Sequence, residues 1–305
     1  MAVAAPPVRR AWTYLQERFP LFAHGPLVLA FAGGVACASA ALRGAEGPGW
    51  AVVAVAFIVA LGAFFQLRVA DEWKDADEDR RFRPERPVPR GLVTLRQLAM
   101  AGLGVAVVQV GVCIWLDARL LIPLAMIWGF GALMTVEFGV RDWLHERPAA
   151  TLLSHAPIVP VIDFFSVSCD VLGNGADYPD GTVWLVAVSL VGGMVVEVGR
   201  KVWASADERE GVYTYSAVWG QRRALGVWAA VILLSAIFGA TMLGYIPDTR
   251  VLQLALIVGG IATLALGFLA LRGDRPGAGS RLETLSGVWT LGLYATLGPI
   301  ALLLT

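Results

Sequence analysis

The sequence is poor in the residues that build covalent cross-links and transition-metal sites. It has three cysteines, Cys37, Cys113 and Cys169, which all lie in or beside apolar runs. An odd number without a ligand-like spacing predicts neither a disulfide framework nor a zinc site. Buried thiols that pack as small hydrophobic groups are the expected alternative. The three histidines are too dispersed to predict a metal cluster.

Charge is also scarce. Only 16% of the 305 residues are charged, and the formal net charge is zero. A nucleic-acid partner requires a basic face that attracts phosphates, so none is predicted. Hydrophobic residues make up 57% of the chain, whereas soluble domains contain about 45–50%. This balance indicates that lipid is the solvent of the protein.

Long apolar runs account for this composition. A membrane-spanning helix needs roughly 20 mostly apolar residues, and the runs are too long for barrel strands. The sequence therefore predicts an all-α polytopic bundle of nine transmembrane helices, with residues 1–305 forming one domain. Pro157 and Pro160 predict a kink in the fifth span. The predicted spans are 22–42, 50–69, 97–116, 120–138, 149–169, 182–199, 223–243, 251–271 and 285–304.

The basic residues predict one orientation of this bundle. With a cytoplasmic N-terminus, the outer loops contain only Arg43, Arg119 and Arg250 of the 24 Lys and Arg residues. All the others lie in or beside the N-terminal arm and the inner loops. This asymmetry is the one that the positive-inside rule describes, and it would be lost if one span were miscounted. The sequence therefore predicts an integral multi-pass membrane protein whose active site lies on the cytoplasmic side.

An acidic motif follows the second predicted span. Asp71, Asp75 and Asp79 recur every four residues, so on a helix they would share one face at steps of about 6 Å. A divalent cation would offset their repulsion, and Mg²⁺ commonly binds one or two carboxylates together with substrate phosphates. Arginines, which suit phosphate, follow at once. The alternative is a solvated, charged loop.

A second mixed cluster follows the sixth predicted span, on the same side of the membrane. Glu197 lies near the end of that apolar run, where an ionisable group is expensive and indicates a functional site. Arg200, Lys201, Asp207 and Arg209 follow within a few residues. An acid packed between helices and paired with Arg200 is the alternative interpretation of Glu197.

These two motifs resemble the signatures of the UbiA superfamily of membrane prenyltransferases. The first signature, Asn-Asp-x-x-Asp-x-x-x-Asp, aligns with residues 71–79, where Asp71 replaces Asn and Glu72 replaces Asp. The Arg-Pro-x-Pro-x-Gly pattern that follows it matches residues 86–91. The second signature, Asp-x-x-x-Asp before Gly-x-x-Ser/Thr, matches at Asp207, Gly211 and Thr214. Its first Asp falls on Trp203, which cannot bind a metal.

The resemblance implies a UbiA-like fold and a Mg²⁺-dependent site for an isoprenoid diphosphate. The expected catalytic residues are Asp71, Asp75, Asp79 and Asp207, and Glu72 joins them as a metal ligand. The expected site also has two further groups of side chains. The diphosphate would be bound by Lys74, Arg81, Arg86, Arg200, Lys201 and Arg209. The isoprenoid and its cation would be enclosed by Trp73, Trp203 and Tyr213.

Three interpretations stay open at the level of the sequence, and the first two differ in the fate of the allylic cation. It can attack an aromatic or lipid-like acceptor, as in prenyl transfer. It can instead close on its own chain, as in the terpene cyclases of the same superfamily. The third interpretation is a non-enzymatic transporter of cations, for which Glu137, Asp163 and Glu197 would be suited. The sequence does not indicate the chain length of the isoprenoid, the acceptor or the oligomeric state.

Overall fold

A computed structural model describes residues 6–208, 213–272 and 276–304, and the elements found there are helical. The helices are α1 (Pro7–Arg18), α2 (Leu21–Leu42), α3 (Trp50–Lys74), α4 (Ala76–Phe82), α5 (Leu95–Leu116), α6 (Leu121–Thr135), α7 (Arg141–His145), α8 (Pro148–His155), α9 (Ile158–Gly173), α10 (Thr182–Gly199), α11 (Tyr215–Trp219), α12 (Gln221–Leu243), α13 (Arg250–Leu271) and α14 (Ala278–Ala295). After α14 the chain continues through a π-helical turn, Thr296–Ile300, into α15 (Ala301–Leu304).

Within this described part, nine segments are long and apolar enough to cross a membrane, which confirms the predicted number. They are His24–Leu42, Trp50–Lys74, Leu95–Leu116, Ala118–Thr135, Pro148–Gly173, Thr182–Gly199, Gln221–Leu243, Arg250–Leu271 and Ala278–Leu304. Because successive segments alternate in direction, the loops fall into two sets. We call the end of the bundle where α3 finishes and α5 begins the motif end. The other is the opposite end.

The second span is longer than predicted. Residues between the apolar run and Lys74 are mostly good helix formers, without proline or glycine, so α3 continues through Asp71 and Glu72. The next span begins at a capping box. Thr94 accepts a hydrogen bond from the backbone of Gln97, whose side chain accepts one in return from the backbone of Thr94. These features fix both ends of the segment that carries the first motif.

The fifth span is interrupted at the predicted proline. Helix α8 ends at His155, and α9 starts again after Pro157. A proline ring clashes with the preceding turn and lacks a donor, which accounts for the break. Pro160 lies within the first turn of α9, where the missing N–H costs little.

Two apolar cores lie side by side in the bundle. One joins α2, α3, α5, α6 and α9, and the other joins α2 and α9 to the helices from α10 onward. Where they meet, Gly34 of α2 lies against Gly298 of the π-helical turn so closely that a side chain at Gly298 would overlap the α2 backbone. Nearby, the hydroxyl of Tyr294 donates a 2.8 Å hydrogen bond to buried Asp163. Asp163 is therefore a satisfied polar group between helices.

Candidate active site at the motif end

The first acidic motif bends where α3 passes into α4. Asp75 lies between the two helices, yet its N–H still reaches the carbonyl of Asp71 (2.9 Å), and Asp79 N–H reaches the carbonyl of Asp75 (2.8 Å). The helical spacing of the three residues is thus retained. Their carboxylates, however, have different surroundings.

Two acids of the motif are buried in ion pairs with arginine. Arg18 of α1 donates from Nε to Glu72 Oε1 at 2.6 Å. Arg86 donates to both carboxylate oxygens of Asp79, at 2.6 and 2.7 Å, and Arg83 lies 3.6 Å away. Both carboxylates are nearly inaccessible, with side-chain exposures of 1% for Glu72 and 3% for Asp79. These pairs hold the motif in place and occupy the oxygens that were expected to bind metal.

The carboxylates of the other two signature acids, Asp71 and Asp75, accept no hydrogen bond from the described residues. The Asp71 side chain is 48% exposed, and its only close cation among the described residues is Arg68 at 3.9 Å. Asp75 is half-buried, and no hydrogen bond or ion pair from the described residues reaches its carboxylate. Burial raises the pKa of the Asp75 carboxyl, the Lys74 ammonium opposes the rise, and nearby carboxylates, including Asp71, add to it. A bound cation would offset the repulsion between the Asp75 and Asp71 carboxylates.

The expected five-carboxylate metal set does not converge in this structure. Within the part of the chain that the structure describes, no group of three or more His, Cys, Asp or Glu side chains is arranged to hold a metal ion. Asp71 and Asp75 are the two acids of the first signature whose carboxylates accept no hydrogen bond from the described residues. Two carboxylates agree with the number that Mg²⁺ commonly takes from a protein.

The basic residues predicted to bind diphosphate fall into three groups. Arg86 pairs with Asp79, and Lys74 Nζ lies 2.7 Å from Glu137 Oε1. Arg81 is exposed near the first motif. Arg200 and Lys201 both pair with Glu197, and Lys201 Nζ lies 2.7 Å from it. Arg209 lies outside the described residues.

The second motif is organised by hydrogen bonds within its own loop. Asp207 accepts a 2.8 Å bond from the N–H of Gly277, at the start of α14. Glu208 accepts bonds from the hydroxyls of Thr214 and Ser216, at 2.6–2.8 Å. The structure places Asp207 at the motif end, where its partner among the described residues is Gly277 and not an acid or base of the first motif.

The predicted aromatic residues lie at this end but not in one pocket. The indole of Trp73 is half-exposed. Trp203 is half-buried, and its indole N–H donates to the carbonyl of Arg200 at 2.9 Å. The Tyr213 ring lies 6.0 Å from Lys201 Nζ, and Tyr215 lies 5.5 Å from the same ammonium. This pair of tyrosine rings therefore faces a lysine in this structure.

An apolar cavity adjoins the first motif. Its volume is about 280 Å³, near the lower end of the range of about 300–1,000 Å³ for small-molecule pockets. It lies between α3, α5 and α6, and residues from Ala63 to Ala70 form the α3 wall. Asp71 follows Ala70 directly. The α3 wall of the cavity thus ends one residue before the first acid of the motif.

Helix α1 is a part of the site that sequence reasoning missed. Its side chains Tyr14 and Leu15 pack against Val69 and the segment before α5, and Arg18 neutralises Glu72. Burial raises the pKa of the Tyr14 hydroxyl, and the Glu72 charge adds to that effect. Proline at the first position of α1 and the spacing of its apolar residues are the signals that could have revealed this helix.

The structure thus defines a polytopic membrane protein with an acidic and basic site at one end of its bundle. The model of the UbiA prenyltransferase family matches residues 27–287, and this chain belongs to that family. No curated protein matches the chain.

Three solved structures share the fold over nearly the whole chain. One comes from work on digeranylgeranylglyceryl phosphate synthase in membranes and is 14% identical to this chain. The match covers 96% of this chain and 99% of that chain, with a TM-score of 0.67. The others are a UbiA homolog from Archaeoglobus fulgidus bound to Mg²⁺ with DMAPP or with GPP. Both are 11% identical and cover 93% of this chain, with 98% and 99% of those chains covered and TM-scores of 0.60 and 0.61. At these identities the likeness is one of fold.

Proposed function

We propose that this chain is a Mg²⁺-dependent enzyme that ionises an isoprenoid diphosphate and transfers the prenyl group to an aromatic or lipid-like acceptor. The observation that carries the proposal is the apolar cavity along α3, whose α3 wall ends one residue before Asp71, the first acid of the motif. An isoprenoid diphosphate is itself apolar at one end and strongly anionic at the other. Membership of the UbiA family, and the fold shared with homologues bound to DMAPP or GPP and Mg²⁺, support the same substrate class.

The donor set of the first motif fits a hard cation. Asp71 and Asp75 would hold Mg²⁺, because no hydrogen bond from the described residues occupies their carboxylates and a cation would offset the repulsion between them. When bound, the ion would neutralise charge on the leaving diphosphate. Glu72 and Asp79 would act indirectly, because their pairs with Arg18 and Arg86 fix the backbone that carries the two ligands.

The remaining side chains would act on the two ends of the substrate, the diphosphate and the isoprenoid. Lys74 and Arg81, and Arg200 and Lys201 from the second motif, would donate to the diphosphate as it leaves, which is electrostatic stabilisation of the transition state. The apolar cavity walls would keep water from the allylic cation. Aromatic rings attract cations through their faces, by about 0.5–2 kcal/mol each, and Trp73, Trp203 and Tyr213 are the candidates at this end.

The charge asymmetry of the loops supports a cytoplasmic location for the motif end and the N-terminus. Outside the two motifs, the loops at this end also carry most of the arginines, whereas the opposite end carries Arg43, Arg119 and Arg250. A diphosphate substrate would then reach the site from the cytoplasm, and its tail would enter from the lipid. Membrane lipid is accordingly both solvent and a source of acceptors in this proposal.

Turnover by the purified protein tests the proposal. We expect release of diphosphate from dimethylallyl, geranyl, farnesyl or geranylgeranyl diphosphate that requires Mg²⁺, stops with EDTA and depends on an added lipid extract or aromatic acceptor. Mass spectrometry of the products would identify the prenylated acceptor. Hydrocarbon or alcohol products without an acceptor would instead support cyclisation. Absence of Mg²⁺-dependent turnover under all of these conditions would overturn both enzymatic interpretations.

Cavity size should set the preferred isoprenoid length, and Gly131 allows this to be tested. Gly131 lines the cavity, and a Cβ there would meet only Leu67, at 3.5 Å, so a larger side chain would project into the open space. We expect Gly131→Leu to lower kcat/KM for the longest accepted isoprenoid about tenfold or more, because one or two excess methylene groups in a pocket cost about 1–3 kcal/mol. The shortest substrate should be affected least.

Gly129 offers a matched control on the same helix. It is exposed, does not line the cavity, and has no atom within 4 Å of a Cβ built on it. Gly129→Leu should therefore leave the chain-length profile unchanged. Equal losses for every chain length in Gly131→Leu would argue against the cavity as the isoprenoid site.

A further inference from the structure

Three side chains from different segments meet at the motif end. Lys74, the last residue of α3, donates from Nζ to Glu137 Oε1 at 2.7 Å. The second oxygen of Glu137 lies 3.2 Å from Nε2 of His155, the last residue of α8. All three side chains are largely shielded, with exposures of 23%, 14% and 22% for Lys74, Glu137 and His155.

The cluster lies at the end of the apolar cavity. Ala70 and Thr135 line the cavity from α3 and α6. Lys74 follows Ala70 by one helical turn, so both residues lie on the same face of α3, and Glu137 follows Thr135 by two residues. The contact between Lys74 and Glu137 therefore bridges the two helices where the cavity meets the acidic motif.

The backbone that presents Glu137 is unusual. Glu137, Phe138 and Gly139 have φ angles of 51°, 53° and 74°. Non-glycine residues in this left-handed region cost about 1–3 kcal/mol each and persist only where the surroundings impose the conformation. Here the Phe138 ring packs edge-on against His155 at 5.6 Å and against Phe130 at 5.8 Å. The packing of Phe138 thus supports the turn, and Lys74 and His155 contact the Glu137 carboxylate from two sides.

His155 is itself fixed on its far side. Its Nδ1 lies 3.0 Å from the Thr151 carbonyl and 3.0 Å from Ser154 Oγ. The ring thus links the backbone of α8 to the Glu137 carboxylate. A chain of contacts runs from α8 through Glu137 to the ammonium of Lys74.

Lysine alone is a poor anchor for a specific phosphate position. Its ammonium sits on a flexible stem that carries about 2 kcal/mol of rotamer entropy, and it has three N–H donors. In this structure one donor is directed at Glu137, which sets the direction of the stem. The other two are then directed by the same contact.

We propose that Glu137, supported by His155, is a positioning residue that holds the Lys74 ammonium at the end of the cavity, where its remaining N–H groups bind the diphosphate of the substrate. This inference rests on the proposed function for the identity of the substrate. Glu137 does not touch the substrate; it acts through Lys74.

The test compares Glu137→Ala with Glu137→Gln and with Glu146→Ala. Glu137→Ala removes the oxygen that accepts the hydrogen bond from Lys74. We therefore expect it to raise KM for the prenyl diphosphate about tenfold, which corresponds to about 1.4 kcal/mol. The kcat should change little. The Kd for inorganic diphosphate with Mg²⁺, measured by calorimetry, should rise in parallel. Gln retains an acceptor for Lys74, so Glu137→Gln should recover most of the lost affinity. Glu146, an exposed acid of the same segment, should be neutral on substitution.

A double-mutant cycle shows whether Glu137 acts through the lysine. In a Lys74→Met background, Glu137→Ala should cause no further rise in KM or Kd. Unchanged KM and Kd in Glu137→Ala, with only a lower melting temperature, would assign the contact to helix packing and overturn the inference. A fall in KM and Kd would also overturn it, because it would mean that the carboxylate competes with the diphosphate.

These outcomes separate the inference from the proposed function. Wild-type turnover with unaltered KM and Kd in Glu137→Ala would leave the proposed function intact and remove the positioning role. The wild type could instead show no Mg²⁺-dependent turnover while Glu137→Ala raises the Kd for inorganic diphosphate. That result would overturn the proposed function but retain the role of Glu137 in binding a diphosphate.

Discussion

We expect Asp75→Asn to lower kcat/KM for the prenyl diphosphate about 100-fold or more. Asn keeps the shape of the side chain but removes a charged oxygen ligand from an acid that lies close enough to the Asp71 carboxylate to be repelled by it. Loss of metal stabilisation at a leaving group removes several kcal/mol of transition-state stabilisation, and each 1.36 kcal/mol is a factor of ten in rate. Steady-state assays of diphosphate release across a range of Mg²⁺ concentrations measure the effect.

Asp77 provides the matched control for this variant. It lies in the same acidic stretch, but its side chain is 89% exposed and pairs with Arg80 at 3.1 Å. Asp77→Asn should retain kcat/KM within about twofold, because exposed pairs contribute only about 0–1 kcal/mol. The Asp75 variant should also require more Mg²⁺ for half-maximal activity. Wild-type kcat/KM for Asp75→Asn at every Mg²⁺ concentration would refute its role as a metal ligand.

Features that depend on local patterns were predictable from the sequence. The number of spans follows from runs of apolar residues, and the break in the fifth span follows from Pro157. The predicted second span stopped at residue 69, where the apolar run ends, and the acidic stretch beyond it was expected to share one face of a helix. The residues up to Lys74 are good helix formers, and the helix continues until Asp75.

The partners of the acidic residues were not predictable in the same way. Glu72 occupies a metal-ligand position in the family signature, yet it is buried against Arg18, which is 54 residues away in the sequence. This pairing depends on how α1 docks, and a sequence motif carries no information on such docking. The bond of Asp79 to Arg86 is different, because the two residues are only seven apart.

The Glu137 cluster illustrates the same limit. In the sequence Glu137 is an acid near the end of an apolar run, for which packing and function are both possible. Its contacts to Lys74 and His155 arise from a left-handed turn. Positions 137 and 138 have no glycine that would predict this turn from the sequence. Tertiary packing of Phe138 imposes that turn, so only the folded chain reveals it.

The second large effect is expected at the opposite end of the bundle, where Arg43 and Asp170 form a shielded pair. Arg43 donates to both carboxylate oxygens, from Nε at 2.9 Å and from Nη2 at 2.7 Å, and the Asp170 side chain is fully buried. The pair joins α2 to α9 across 127 residues. Removal of one partner from such a pair leaves an uncompensated charge and costs about 3–5 kcal/mol.

Arg43→Met should therefore lower the free energy of unfolding by about 3–5 kcal/mol, measured by chemical or thermal unfolding in detergent. Activity per folded molecule should remain unchanged, because the pair lies at the end of the bundle away from the acidic motif. Arg119→Ala is the matched control at the same end. Arg119 pairs with Asp117 on the surface, where its side chain is 63% exposed, and the expected loss is about 0–1 kcal/mol.

A double variant separates the two sources of this loss. If the cost arises from an unpaired buried carboxylate, Arg43→Met combined with Asp170→Leu should recover much of the stability, because apolar replacement of a buried ion pair is often neutral or stabilising. If the cost arises from lost contacts between α2 and α9, the double variant should be no more stable than Arg43→Met. A loss for Arg43→Met as small as that of Arg119→Ala would show that water reaches the pair. The shielded arrangement of Asp170 would then contribute nothing to the stability of the bundle.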